Sequence, residues 1–194
     1  MNTMTMVRLF VAVPIPSEIK HVVANWIDEL KKELPFRKWV HPDDLHITLQ
    51  FLGDTPSEDV SQITKALQEL STASSPLSLR IDSLGYFGRS TQPSVLWAGV
   101  GGNVKGLQSL HNQVSSILAP LGYKPEERAY HPHLTLARNY AATTPFNRER
   151  LNHFAVPTFI NGDLLTWKTS TITLYRSHLN KQPMYEVMYS SIGS

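Results

Sequence analysis

The chain has 194 residues, of which 41% are hydrophobic and 18% charged, with a formal charge of +2 and no cysteine. That is enough apolar material for a real core, in one large domain or two intimately packed lobes, and it excludes a disordered chain. Lack of cysteine excludes disulfides and thiolate metal sites. The mildly basic balance carries no dense Lys/Arg stripe, so it suits an anionic small molecule or a nucleic-acid end better than a long duplex.

The opening "VRLFVAVP" (7–14) is β-branched and apolar and reads as a buried strand. It lacks the basic leader of a signal peptide, and no apolar run reaches 18 residues, so neither export nor a membrane span is expected. The absence of cysteine fits a reducing cytoplasm. Ser17 opens a helix with Ile19, Val22, Val23, Trp26, Ile27 and Leu30 at helical spacing. "PFRKWVHPDD" connects it to a strand over Leu45–Phe51, which Gly53 ends. Thr55, Pro56 and Glu58 then have the pattern of a capping box, followed by a helix with Val60, Ile63, Ala66, Leu67 and Leu70 on one face.

A loop at 71–76 leads to the strand "LSLRIDSLGYFG". The order then recurs: strand "SVLWAGV" (94–100), helix 103–118 with Leu107, Leu110, Val114, Ile117 and Leu118, and strand "HPHLTLAR". At the end, "LTWKTSTITLYRS" and "MYEVMYSSI" read as a hairpin of two strands. "GVGGNVKG" (99–106) is not a phosphate loop, because Lys105 precedes Gly106 and no Ser/Thr follows; its glycines turn the chain into the helix.

Both halves carry His-x-Thr-Leu, at His46 and at His133, 133 − 46 = 87 residues apart. Chance would place roughly 0.07 such tetrapeptides in a chain of near-average composition. The expectation is therefore a pseudo-twofold duplication, with repeats over roughly 7–70 and 94–140 and C-terminal strands over 164–192. Strand alternation points His46 and Thr48 to one face and Ile47 and Leu49 to the other, and likewise His133 and Thr135 against Leu134 and Leu136. Two imidazoles and two hydroxyls then converge, a set suited to phosphate chemistry. One imidazole takes a proton from water, the other gives one to a leaving oxygen, and the hydroxyls donate to non-bridging oxygens.

"RLFVAVPIP", "WVHPDDLHITLQFLGD", "RAYHPHLTLAR" and "TLYRS" resemble the 2H phosphoesterase superfamily, and within it the bacterial and archaeal RNA 2′,3′-cyclic phosphodiesterases, also called 2′-5′ RNA ligases. The likeness implies a single bilobal α+β domain over 1–194, with two antiparallel sheets flanked by helices around a central cleft. It implies opening of a ribose 2′,3′-cyclic phosphate to a 2′-phosphate without metal, ATP or other cofactor, and ATP-independent 2′-5′ ligation in reverse. The substrate would be RNA with a cyclic phosphate terminus or a small cyclic nucleotide, handled by a monomer.

Carried over by the resemblance, His46 and His133 are the catalytic pair, with His46 as acid for O3′ and His133 as base for water. Thr48, Thr135 and Arg138 bind the phosphate. Strict alternation puts Arg138 opposite His133 and Phe51 opposite His46, so Arg138 reaches the site only if its strand ends or bulges, and Phe51 reads as core. Phe51, Arg128 and Tyr175 are further candidate substrate contacts. Trp39 and Trp97 read as core or cleft wall, and His21, His41, His111, His153 and His178 as surface or packing residues.

Other readings remain. One is a phosphodiesterase of the same superfamily acting on a different cyclic phosphoester. A second is a metallohydrolase using His46, His131, His133 and Asp43 or Asp44, although no H-E-x-x-H helix motif is present. A third is a non-catalytic module holding phosphorylated RNA ends, for which Arg or Lys would serve better than two histidines.

Overall fold

The computed structural model describes residues 5–70 and 75–191. Residues 71–74 of the expected loop and Ile192 of the last expected strand lie outside it. In chain order the described elements are β1 (Met6–Pro14), α1 (Ser17–Glu33), β2 (Phe36–Trp39), β3 (His46–Pro56), α2 (Val60–Leu70) and β4 (Leu77–Arg89), then β5 (Gln92–Gly102), α3 (Val104–Leu118), β6 (His133–Tyr140), β7 (Thr166–Thr169), β8 (Thr173–Ser177) and β9 (Tyr185–Ser190).

The strands run in the order β7-β4-β5-β6-β3-β1-β8-β9, with β2 beside β6, and every pairing is antiparallel. The two sheets expected from sequence are halves of one curled sheet. They join between β3 and β6 at a single pair, Ile47 with Leu134. Those two residues are also 134 − 47 = 87 apart, the same spacing as the two motif histidines.

Helices cover one side of the sheet. Ile19, Val23, Trp26, Ile27 and Leu30 of α1, and Leu107, Leu110, Val114 and Leu118 of α3, are buried there. They pack in one cluster with Leu9, Val11 and Val13 of β1, Ile47 and Leu49 of β3, Leu96 and Ala98 of β5, and Leu134 and Leu136 of β6. Burying each such Leu or Ile contributes about 1.5–3 kcal/mol before entropy is counted. Asn103 caps α3 by accepting from the Gly106 N–H at 2.9 Å. The other side of the sheet holds a smaller cluster of Phe10, Ala12 and Tyr175 with Tyr185 against it. This is the side on which the motif histidines stand.

Four expectations are corrected. The "FRKW" segment is strand β2, paired to β6. Gly53 does not end β3; at φ +72° it lets the strand continue past a bulge to Pro56. Thr55 is no helix cap: it lies in β3, its hydroxyl donates to the Gly53 carbonyl at 3.2 Å, and a short 3-10 turn at 57–59 precedes α2. Finally, "LTWKTSTITLYRS" is two strands at different places in the sheet, since β7 pairs with β4 and β8 with β1, while β8 and β9 form the expected hairpin.

Candidate active site

The geometry of the site rests on two bulges. Along β1 and β3, Val11 pairs with Gln50 but Ala12 pairs with Thr48, so Leu49 is an extra residue. Along β5 and β6, Leu96 pairs with Ala137 but Trp97 pairs with Thr135, so Leu136 is extra. Leu49 and Leu136 are the fourth residues of their motifs. An extra residue reverses strand parity beyond it. Leu49 and Gln50 are consecutively buried, as are Leu136 and Ala137, and the next residues turn to the histidine side. Phe51 therefore joins His46 and Thr48, and is 52% exposed rather than core. Arg138 joins His133 and Thr135 by the same device.

These side chains line one cleft of about 550 Å³, which holds His46, Thr48, Phe51, Arg128, His133, Thr135 and Arg138. Tyr175 does not line it. Its ring is 9% exposed and stacks on Phe10 at 5.2 Å, with Phe10 in turn 4.8 Å from the His46 ring. It packs behind the histidine, which corrects its candidacy as a substrate contact. Tyr185 lines the cleft instead, edge-on to His46 at 5.1 Å.

Both histidines are held in the same way. Nδ1 of His46 donates to the Asp44 carbonyl at 2.7 Å, and Nδ1 of His133 donates to the His131 carbonyl at 2.7 Å. A carbonyl only accepts, so Nδ1 carries the proton in each ring and Nε2 is free to exchange one. Nε2 of His46 lies 3.0 Å from the Thr48 hydroxyl. Burial lowers His46 to about 4; the Asp44 carbonyl raises it in part, while His133, Arg138 and Lys20 add to the lowering. Burial also lowers His133, opposed by the His131 carbonyl and reinforced by His131 and Arg138. Both rings are thus neutral near pH 7, in a site where Arg138 supplies positive potential.

The surroundings explain the rigidity. Asp44 is 5% exposed, and its carboxylate accepts from the N–H groups of Met184 at 2.8 Å and Tyr185 at 3.1 Å. Both of its oxygens accept backbone hydrogen bonds from the residues that open β9. The same residue ties the start of β9, with Tyr185, to the carbonyl that orients His46. On the other half, Phe87 lies 4.9 Å from His133, and Trp97 lies 4.9 Å from His131. Trp97 needs Gly85 opposite it on β4, because a Cβ there would collide with the indole ring.

His131, Gln50, His111 and Tyr130 also line the cleft. Sequence reasoning passed over Gln50, set His111 among surface or packing residues and gave His131 a place only in the metallohydrolase reading. Arg128 is at the rim, its side chain 90% exposed and 3.8 Å from Glu126. Among the described residues no helix is long and apolar enough to cross a membrane.

Comparison with known proteins agrees with this arrangement. The LigT-like phosphoesterase family matches residues 13–97 and again 102–185, one match for each half. An RNA 2′,3′-cyclic phosphodiesterase of Bacillus subtilis is 33% identical over 183 residues, covering 93% of each chain. One of Geobacillus stearothermophilus is 34% identical over 92% of this chain, which spans 55% of that relative's length. The crystal structure of Escherichia coli LigT complexed with 3′-AMP superposes with a TM-score of 0.75 at 26% identity, covering 96% of this chain and 97% of that one.

Proposed function

The chain belongs to the LigT-like phosphoesterase family, and from that premise we propose that it is an RNA 2′,3′-cyclic phosphodiesterase that opens cyclic phosphate ends to 2′-phosphates. We take residues 1–194 as one bilobal catalytic domain working in the cytoplasm as a monomer. The observation that carries the reading is the convergence of His46 with Thr48 and His133 with Thr135 in one cleft, beside Arg138.

In this mechanism the cyclic phosphate lies between the two rings. Its non-bridging oxygens take hydrogen bonds from the Thr48 and Thr135 hydroxyls and charge from Arg138. His133, through Nε2, removes a proton from a water as its oxygen attacks phosphorus. The P–O3′ bond breaks on the opposite side, and O3′ takes a proton from Nε2 of His46. The product is a 2′-phosphomonoester with a free 3′-hydroxyl. Burial lowers both rings, and the anionic substrate favours uptake from solvent of the proton that His46 later gives. With the 5′-hydroxyl of a second RNA in place of water, the same attack on phosphorus and departure of O3′ gives a 2′-5′ linkage without ATP, and the reverse cleaves that linkage to a cyclic phosphate. No step requires a metal ion.

The test is hydrolysis of 2′,3′-cyclic AMP and of a short RNA with a cyclic phosphate end in excess EDTA. Exclusive 2′-phosphate product is expected. A 3′-phosphate product, or activity abolished by the chelator and restored by a divalent cation, would refute the mechanism.

A further inference from the structure

The two halves of the cleft differ beside the motif strands. In the first half, the segment before the motif forms β2 and pairs with β6, and the Val40 N–H donates to the Leu136 carbonyl at 2.9 Å. The equivalent segment, 87 residues on, spans 123–127 and forms no strand against β3. Side chains take over the vacated ladder positions. The Leu49 carbonyl, counterpart of Leu136, accepts from Nδ1 of His111 at 2.7 Å. The Gln50 amide donates from Nε2 to the Tyr123 carbonyl at 3.1 Å. The cleft extends into the space so left, which Glu126, Arg128 and Tyr130 line from the far side.

That space is polar and incompletely satisfied. Gln50 is 4% exposed, and with its nitrogen committed to Tyr123 its Oε1 is buried without a partner. The Tyr130 hydroxyl is buried without a partner too, while its ring stacks on His111 at 4.3 Å and 4°. Burial raises the Tyr130 pKa, so the hydroxyl keeps its proton. His111 donates its Nδ1 proton to the Leu49 carbonyl, and in that tautomer Nε2 is an acceptor. Buried polar atoms left unpaired cost roughly 1–3 kcal/mol each, so two of them on side chains that line one cleft mark a place where a polar ligand group relieves that cost once the side chains turn toward it. A cleft of about 550 Å³ is large enough for a nucleotide, not only for its phosphate.

We propose that Gln50, His111 and Tyr130 form a recognition site for the hydrogen-bonding edge of the nucleobase next to the cyclic phosphate, selecting bases with an exocyclic amino group over uracil. The inference rests on the cyclic phosphodiesterase reading. Its chemistry is a count of donors and acceptors. Gln50 Oε1 and His111 Nε2 accept, and the Tyr130 hydroxyl both donates and accepts. Adenine, cytosine and guanine bring an amino group to acceptors of this kind. Uracil brings two carbonyls and one N–H, which leaves an acceptor of the site unpaired.

The experiment compares kcat/KM for the 2′,3′-cyclic phosphates of adenosine, cytidine, guanosine and uridine, in the wild type, Tyr130→Phe and Gln50→Met. Tyr130→Phe keeps the ring stacked on His111 and removes only the hydroxyl; circular dichroism melts check that both variants fold. The amino-bearing substrates should exceed the uridine substrate by at least about tenfold, mostly through KM, because a site built to bond a polar group discriminates against its absence. Each variant should shrink that ratio at least about threefold. Equal rates on all four substrates, a preference for uridine, or a ratio unchanged in folded Tyr130→Phe would overturn the base site and leave the phosphodiesterase reading standing. Loss of all four activities in folded wild-type protein would overturn that reading, and this inference with it.

Discussion

Leu49 and Leu136 occupy equivalent bulges, each three residues after a motif histidine, and each shifts the residue two places further on, Phe51 or Arg138, to the histidine side of the sheet. The same backbone device serves different chemistry in each half. One places an aromatic surface in the cleft and the other a permanent cation.

His46→Ala and His133→Ala are each expected to lower kcat by at least about 10²-fold, the scale of losing a general acid or base. Thr48→Ala and Thr135→Ala should cost less, a few kcal/mol at most of transition-state stabilisation. Steady-state kinetics on a cyclic nucleotide, with tryptophan fluorescence to check folding, settles both. An alanine variant of either histidine that kept a tenth of wild-type kcat would remove that ring from the chemistry.

The pH dependence follows from the direction of the histidine shifts. The proposed mechanism needs one ring neutral and one protonated, whichever plays which role. With His46 at about 4 and His133 also lowered by burial, that state of the free enzyme peaks on the acid side of neutrality. Above both, the required imidazolium disappears and kcat/KM should fall about tenfold per pH unit. Below both, the base is blocked. Bound substrate is anionic and raises both rings, so the kcat profile should lie alkaline of the kcat/KM profile. A kcat/KM optimum above pH 7.5 would contradict the burial that sets these values.

Arg138→Met removes a cation that lowers both histidines. The variant should bind substrate more weakly and also shift the kcat/KM optimum upward in pH. Arg138→Lys should restore part of the shift but less of the affinity, because an ammonium lacks the planar fork of guanidinium. Weaker binding with an unmoved pH profile would place Arg138 away from the rings.

Gly85→Ala pushes a methyl into the Trp97 ring, which lies beside His131. Overpacking of this kind costs about 1–3 kcal/mol, readable as a lower urea midpoint. A variant as stable as wild type would mean that the indole has room to turn.

Much of this fold is legible along the chain. The helical spacing of Ile19, Val23, Ile27 and Leu30 and of Leu107, Leu110 and Val114 announces α1 and α3, and the repeated His-x-Thr-Leu announces the site. What escapes is whatever depends on a partner strand. Leu49-Gln50 and Leu136-Ala137 carry no bulge signal of their own, since a bulge is defined by what lies opposite, so Phe51 and Arg138 read with the wrong parity. "FRKW" is too short and too charged to announce a strand until β6 is beside it. Tyr175 and Tyr185 exchange roles for a related reason: which of two hairpin aromatics faces the cleft depends on the register of β8 against β1. Gln50 and His111 gain their significance only because the segment at 123–127 stands away from β3.

The halves of the sheet share one ladder pair between β3 and β6, yet each is braced by chain from elsewhere. β2, from the first half, pairs with β6 of the second, and β8, which follows the second half, pairs with β1 of the first. A cut between α2 and β4 would therefore leave an N-terminal piece without the outer neighbour of β1, and a C-terminal piece whose β6 has lost its strap. The repeat written in the motifs is not kept in the strand pairing, where each half of the sheet takes a neighbour from beyond its own stretch of chain.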